Sequence, residues 1–277
     1  MSHPIIRVQI ENSIYDRLVS TSVEYAVISF PYTINRMDLR DPISRITNIA
    51  KGKISEKLFI HFCHVNDIPV QTKKCQTPYF EPDKRDFILG REEWDIKNNF
   101  IKHDTPVLRS QDYLDLPALI PFRGDWDQWA KKNEYLHRPE TESVCFLFSF
   151  MKGWDGDTPF LKIDLTDDQQ RFIDSLIQDG RVRTDPYEEE WFWKTMTERG
   201  SGNPYRYQLN FHPELILCGM AQEKDFPLFS VADHQQYLSG IFKTRIRNME
   251  LRIRCLSSFL SLYPRLHHSM VSGSILD

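Results

Sequence analysis

The sequence contains no apolar run long enough to cross a membrane. Its longest apolar runs, such as residues 144–150, have the length of a strand and fall far short of the ~20 residues that span a bilayer. Residues 1–8 also lack the basic start, the apolar stretch and the small-residue cleavage site of a secretory signal. The sequence therefore predicts a cytoplasmic protein without membrane contact.

Cysteines and several common functional motifs are also scarce or missing. The five cysteines form no Cys-x-x-Cys pair and lie mostly among apolar residues, which favours reduced thiols over a disulfide framework. No Gly-x-Ser-x-Gly elbow, Gly-x-Gly-x-x-Gly loop or Walker loop occurs, so acyl transfer, dinucleotide binding and P-loop chemistry find no support. A net charge of −4 argues against a uniformly basic nucleic-acid coat but permits a local basic patch.

Bulky apolar residues, by contrast, are plentiful. The 277 residues include 18 Phe, 11 Tyr and 6 Trp, and 40% of the chain is hydrophobic. This composition contradicts a disordered or fibrous chain and predicts a globular protein. The length allows one α/β domain with insertions or two domains.

Local patterns predict the order of the elements. Residues 43–65 carry apolar positions three to five residues apart, as on one face of a helix, and strands at 86–89 and 94–101 flank a turn of hairpin length. Further predicted elements are a helix at 126–136, a strand at 143–150, a helix behind the capping pair Thr166 and Gln169, a helix at 188–197, strands at 205–211 and 214–220, and a long helix at 233–263. We expect an α/β fold with a mixed central β-sheet flanked by helices.

These elements suggest three parts of the chain. An N-terminal extension, 1–40, combines a strand-like segment at 5–10 with an apolar, β-branched run at 23–30. The core would occupy 41–232 and carry an inserted segment at about 102–142. The long C-terminal helix and a tail would occupy 233–277.

The predicted hairpin gathers groups that can perform chemistry. In a strand, residues two apart share a face, so Asp95 and Lys97 point to one side and Trp94 to the other. Asp86, from the neighbouring strand, can approach Asp95 across the hairpin. Two carboxylates suit Mg²⁺, which binds through one or two carboxylates together with phosphate oxygens. This chemistry fits the hydrolysis of a phosphodiester bond, with the lysine placed to orient the attacking water.

The spacing of Asp86 and Asp95-Ile96-Lys97 resembles the PD-(D/E)xK, or restriction-endonuclease-like, nuclease superfamily. Glu56, on the helix before the hairpin, matches a glutamate that the family often carries. The chain departs from the pattern in two ways, because Pro82 lies four residues before Asp86 and the acidic member is Asp where Glu is commoner. The resemblance covers roughly residues 43–101 and continues through the order of elements at 143–225.

This resemblance implies a Mg²⁺-dependent endonuclease of double-stranded DNA, most like a type II restriction enzyme. Asp86 and Asp95 would bind the metal, for which Mn²⁺ can substitute, Lys97 would position the water, and Glu56 would complete the site. A single-strand or RNA nuclease fits the motif too. The charged residues can also be the solvated face of an edge hairpin, on a non-catalytic DNA-binding or assembly protein.

Two further patterns leave a choice open. Seven basic residues near the proposed site either contact phosphates or keep the protein soluble: Lys51, Lys53, Lys57, Lys73, Lys74, Lys84 and Arg85. The predicted C-terminal helix carries an apolar seam at alternating spacings of four and three: Phe242, Ile246, Met249, Ile253, Leu256, Leu260 and Tyr263. Its partner is either the rest of the chain or a second copy, and the second case gives a homodimer suited to a palindromic DNA target.

Overall fold

The structure is a computed structural model that describes residues 4–33, 39–81, 85–102, 111–121, 144–232, 236–237, 240, 242–244 and 248–262. Its strands are β1 (Ile6–Val8), β2 (Val70–Gln71), β3 (Phe87–Leu89), β4 (Glu92–Ile101), β5 (Pro117–Pro121), β6 (Val144–Lys152), β7 (Trp154–Asp155), β8 (Thr158–Pro159), β9 (Leu161–Asp164), β10 (Arg206–Leu209), β11 (Leu215–Ala221), β12 (Ser230–Ala232), β13 (Gln236–Tyr237), β14 (Phe242–Lys243) and β15 (Asn248–Arg252). Its α-helices are α1 (Asn12–Ser29), α2 (Pro42–Val65), α3 (Asp167–Ser175) and α4 (Glu189–Arg199). Short 3₁₀ turns lie at Phe30–Tyr32, Gln111–Asp115, Glu223–Leu228, Ile253–Cys255 and Phe259–Leu262.

Six strands form a central mixed sheet in the order β1-β11-β6-β4-β3-β2. β4 and β6 run parallel, and the other neighbours are antiparallel. β6 lies in the middle and is buried on both faces, because Phe148 belongs to one apolar cluster and Leu147 to the other. Helices pack against the sheet, so the predicted mixed central sheet flanked by helices is confirmed.

Two layers cover the sheet. On one face, α1 and α2 pack against each other and share an apolar cluster with Trp94 and Leu147. On the other face, a small sheet in the order β12-β15-β5 places Leu119 and Ile120 in a second cluster with Phe148. None of the described helices is both long and apolar enough to cross a membrane.

Helix α2 forms close to its predicted bounds for local reasons. The Asp41 side chain accepts hydrogen bonds from the backbone N–H groups of Ile43 and Ser44, at 3.3 and 2.9 Å, and caps the first turn. Pro42 occupies the first helical position, where its missing N–H costs nothing. The buried residues of the helix recur about every four positions and face the sheet: Ile46, Ala50, Ile54 and Leu58.

The prediction of a long C-terminal helix at 233–263 is wrong. The described part of this segment forms β13, β14, β15 and 3₁₀ turns, and Met249 pairs with Ile120 of β5. The physical reason is a competing pattern, because residues 249–255 also alternate between apolar and polar, with the period of a strand. Ile253 is buried below the central sheet, and two members of the predicted seam, Ile246 and Tyr263, lie outside the described residues.

The predicted segments 1–40 and 102–142, on either side of the hairpin, also differ from the structure. The β-branched run at 23–30 forms the end of helix α1 and the first residue of the 3₁₀ turn behind it. Strand β1 pairs with β11, so residues 6–29 join the central sheet and its helical layer. Sequence patterns missed β5 inside the segment 102–142. The helix predicted at 126–136 lies outside the described residues.

Replacing Trp94 with alanine should destabilise the protein severely. Its indole is fully buried and stacks on Phe87 with ring centroids 6.1 Å apart, so truncation removes a large part of the core below β4. We expect Trp94→Ala to lower the free energy of unfolding by about 3–5 kcal/mol, measured by urea denaturation. Trp191→Ala is the matched control, because Trp191 is 44% exposed and its loss should cost much less.

Candidate active site

The β3–β4 hairpin places the predicted site residues at its open end. Phe87 pairs with Trp94, and Gly90 makes the turn with φ 67°, a left-handed conformation that glycine adopts without strain. The Asp86 N–H donates to the Trp94 carbonyl oxygen at 2.9 Å, so the pairing continues one residue beyond β3. This local geometry fixes Asp86 beside the middle of β4, as the sequence predicts.

A side-chain hydrogen bond holds the Asp86 carboxyl against β4. Its Oδ2 accepts from the backbone N–H of Ile96 at 2.7 Å, the residue between Asp95 and Lys97. Along β4, Trp94 and Ile96 are buried, and the Asp95 and Lys97 side chains are 18% and 25% exposed. The predicted alternation of this strand is therefore present, with the acid and the lysine on one face.

Lys97 is oriented by the groups around it. Its Nζ donates to Asp95 Oδ2 at 2.5 Å and lies 5.6 Å from the ring centroid of Phe146 on the parallel strand β6. The ammonium is thus fixed next to a carboxylate that can hold a cation. This arrangement allows it to donate a hydrogen bond to a water or a phosphate oxygen at the same place.

Glu56 reaches the same cluster from helix α2. Lys53 Nζ donates to Glu56 Oε2 at 2.7 Å, and both side chains are less than one-fifth exposed. Burial is the main reason that the pKa of the Asp86 carboxyl lies well above its ordinary value, and the negative charges of Asp95 and Glu56 raise it further. Lys53 and Lys97 lower it in turn. The structure therefore brings together Glu56, Asp86, Asp95 and Lys97.

The fit of a metal ion to this cluster depends on its carboxylates. Among the described residues, no group of three or more His, Cys, Asp or Glu side chains is arranged to hold a metal ion. Mg²⁺ does not require such a cage, because it keeps several waters and binds through one or two carboxylates and substrate phosphates. Asp86 and Asp95 can supply two carboxylates. Burial is the main cause of the raised pKa of Asp86, and a cation beside it would offset the smaller contribution of the Asp95 and Glu56 charges.

A cleft of about 1080 Å³ opens beside Lys97. It lies between α2, the second half of β4, β9 and the segment around β14. The charged residues among its described lining are five lysines and one aspartate: Lys51, Lys97, Lys102, Lys162, Lys243 and Asp164. On a chain with a net charge of −4, this concentration of positive charge is local, and it favours an anionic ligand.

Sequence reasoning found only part of this cleft. Of the predicted basic group, Lys51 lines it, whereas Lys53 binds Glu56 and Lys57 donates to Thr21 Oγ1 at 2.6 Å. Arg85 forms an ion pair with Glu93 across the hairpin. Lys73 and Lys74 are exposed and lie outside the described lining, and Lys84 lies outside the described residues. Sequence patterns also singled out Lys243, as a basic residue beside the seam of the predicted C-terminal helix that could reach phosphates, and missed the cleft lysines Lys102 and Lys162.

The chain matches no family model, no curated protein and no solved structure. Its chemistry must be inferred from the cluster and the cleft. Two carboxylates, a lysine and a basic cleft suit a reaction in which a metal-bound water attacks a phosphate ester. The acidic cluster and the basic cleft meet at Lys97, which lines the cleft and pairs with Asp95.

Proposed function

We propose that the protein is a Mg²⁺-dependent endonuclease that hydrolyses phosphodiester bonds in double-stranded DNA, with the role of a type II restriction enzyme. The observation that carries this proposal is the position of Lys97, which lines the lysine-rich cleft and pairs with Asp95 on the strand that Asp86 contacts. The sheet supports it as well, because the hairpin with the motif is followed by the parallel strand β6. The PD-(D/E)xK resemblance also implies a helix between the hairpin and the next strand, and the helix predicted at 126–136 lies outside the described residues.

Each residue has a defined task in this reaction. Asp86 and Asp95 would hold the cation, which when bound would supply the Lewis acidity needed to activate water and to offset negative charge on the phosphate. The Lys97 ammonium orients the attacking water and donates a hydrogen bond to the phosphate. Glu56 adds a third negative charge beside the metal ligands, and Lys53 keeps its carboxylate in place.

Incubation of the full chain with plasmid and phage DNA tests the proposal. We expect cleavage with Mg²⁺ or Mn²⁺ and none with EDTA, and discrete bands indicate the sequence specificity of a restriction enzyme. A smear indicates a nuclease without a defined target. Single-stranded DNA and RNA of the same sequence serve as parallel substrates, and intact DNA under all metal conditions contradicts the proposal.

A non-catalytic DNA-binding or assembly protein on the same scaffold is the second candidate. It is favoured by the ion pair between Lys97 and Asp95, and by the lack of a three-ligand metal group among the described residues. Such a protein would bind DNA in a salt-dependent manner and leave it intact with Mg²⁺. Binding without cleavage therefore selects this candidate.

The restriction role carries two further expectations. It would place the protein in the cytoplasm, and a homodimer would set two active sites on opposite strands of a palindromic target. The helical seam proposed for that dimer is not formed in the described residues, so the dimer stays a prediction without a defined interface. Light scattering can test it against the chain mass of 32.9 kDa.

A further inference from the structure

A buried lysine lies in the floor of the cleft, on the same helix as Glu56. Lys51 is only 4% exposed, although it belongs to the lining. Its Nζ lies 4.2 Å from the ring centroid of Trp154, 5.1 Å from that of Phe100 and 5.8 Å from that of Phe160. Among the described residues, these rings are its contacts, and no carboxylate or hydrogen-bond acceptor pairs with it.

Burial without an anionic partner is costly for an ammonium group. It lowers the pKa of Lys51 to about 8, because the charged form is poorly solvated there. Cation–π attraction to the aromatic rings offsets part of the solvation free energy that the buried ammonium loses. A cation that borders a cleft and has no anion of its own is suited to bind an anion from the ligand.

The rings around Lys51 offer a second kind of contact. Phe100 and Trp154 line the cleft and are half-buried, so part of each ring remains open to a ligand. Planar nucleobases stack on such aromatic side chains with little dependence on sequence. An ammonium group and aromatic surfaces in one place therefore match the phosphate and the base of a nucleotide.

We propose that Lys51, Phe100 and Trp154 form a subsite for one unpaired nucleotide of the DNA strand, next to the scissile bond. This inference rests on the proposed function and deepens it. Phe100 follows Lys97 by three residues, which is about 10 Å along β4 and places the two side chains on opposite faces of the strand. Both residues line the cleft, so the subsite is distinct from the position of the scissile phosphate and shares one cavity with it.

The chemistry of the subsite selects an unpaired strand. In a duplex the bases stack on each other and present only their edges in the grooves, so they offer no face to Phe100 or Trp154. A single strand, or a base that has left a duplex, can place its face on the rings while its phosphate meets Lys51. The enzyme then either acts on single strands or opens the duplex beside the bond that it cuts.

Oligonucleotide binding in EDTA tests the subsite separately from cleavage. A labelled single strand of about ten nucleotides and the duplex of the same sequence are titrated with the full chain and followed by fluorescence anisotropy. We expect Lys51→Met to weaken binding of the single strand about five- to tenfold and binding of the closed duplex less than about twofold. An abasic single strand should lose a similar factor, since it keeps its phosphates and lacks the stacked bases.

The variants carry their own controls. Met fills the same aromatic surroundings without a charge, so the melting temperature of Lys51→Met should equal or exceed that of the wild type. Lys224→Met removes the same charge from an exposed position outside the described lining, and should change binding less than about twofold. A salt titration of both variants separates the local contact from the general effect of one lost charge.

Unchanged binding of the single strand by Lys51→Met, or an equal loss of single-strand and duplex binding in this variant, overturns the subsite. Failure of the proposed function gives a different result. If the wild type cuts DNA but shows no Lys51-dependent binding, the result supports the nuclease proposal and contradicts the subsite. If it binds single strands through Lys51 but cuts no DNA, the result supports the subsite and contradicts the nuclease proposal.

Discussion

Asp95→Asn and Lys97→Ala should each reduce the rate of DNA cleavage at least about a hundredfold while the fold stays intact. Both side chains lie on the face of β4 opposite Trp94, so their removal leaves the core below the strand unchanged. In the proposed reaction, Asp95→Asn removes a negative charge that would bind the metal, and Lys97→Ala removes the group that would orient the water. Initial rates on plasmid DNA measure the loss of cleavage. Far-UV circular dichroism and the melting temperature show whether the fold stays intact.

Two exposed residues provide matched controls for these variants. Asp155 has a side chain that is 64% exposed, and Lys194 is exposed on helix α4. Asp155→Asn and Lys194→Ala make the same chemical changes at residues outside the cluster and should cut at the wild-type rate. A wild-type rate for Asp95→Asn or Lys97→Ala would mean that the site is assigned to the wrong residues.

The hairpin at the centre of the site could be predicted because all of its signals are local. Alternation along residues 94–97 determines which side chains share a face, and Gly90 supplies the turn that pairs Asp86 with β4. The spacing of apolar residues in α2 identifies the helix that carries Glu56. These features depend on the periods of two and 3.6 residues, which a sequence shows directly.

The cleft could not be predicted in the same way. Lys102, Lys162 and Lys243 come from three separate segments, and only the order of the strands brings them together. The aromatic surroundings of Lys51 likewise join α2, β4 and β7, and no local pattern links these elements. At the C-terminal end, residues 249–255 fit both the period of a helix and the period of a strand. The strand forms because β15 pairs with β5, and this pairing is not visible in the local pattern.

Asp86→Asn should abolish metal-dependent cleavage and at the same time stabilise the metal-free protein at neutral pH. Burial and the charges of Asp95 and Glu56 raise the pKa of Asp86, so its ionised form opposes folding. Asparagine removes the charge and retains an oxygen that accepts the hydrogen bond from the Ile96 N–H. In EDTA we expect a higher melting temperature, by roughly 2–4 °C for every ~1 kcal/mol of repulsion relieved.

The sign of the pH dependence follows from proton linkage. Below the unfolded pKa, both states of the wild type hold the Asp86 proton, and the variant has no advantage. As the pH rises, the unfolded chain releases this proton first, so the stability of the wild type falls until the pH passes the raised folded pKa. The gain from Asp86→Asn in EDTA should therefore be larger at about pH 8 than at about pH 5, in melting experiments at both values.

Magnesium should reverse the order of stability of the wild type and Asp86→Asn, because a cation bound by Asp86 and Asp95 offsets the repulsion that the variant removes. Mg²⁺ is expected to raise the melting temperature of the wild type and leave Asp86→Asn almost unchanged, while Asp155→Asn responds like the wild type. The opposite result, a variant that is less stable than the wild type in EDTA, would show that the Asp86 carboxylate is structural. The cluster would then be the charged edge of a hairpin. A wild type whose melting temperature does not respond to Mg²⁺ would also contradict the metal site, because relief of burial alone stabilises Asp86→Asn in EDTA.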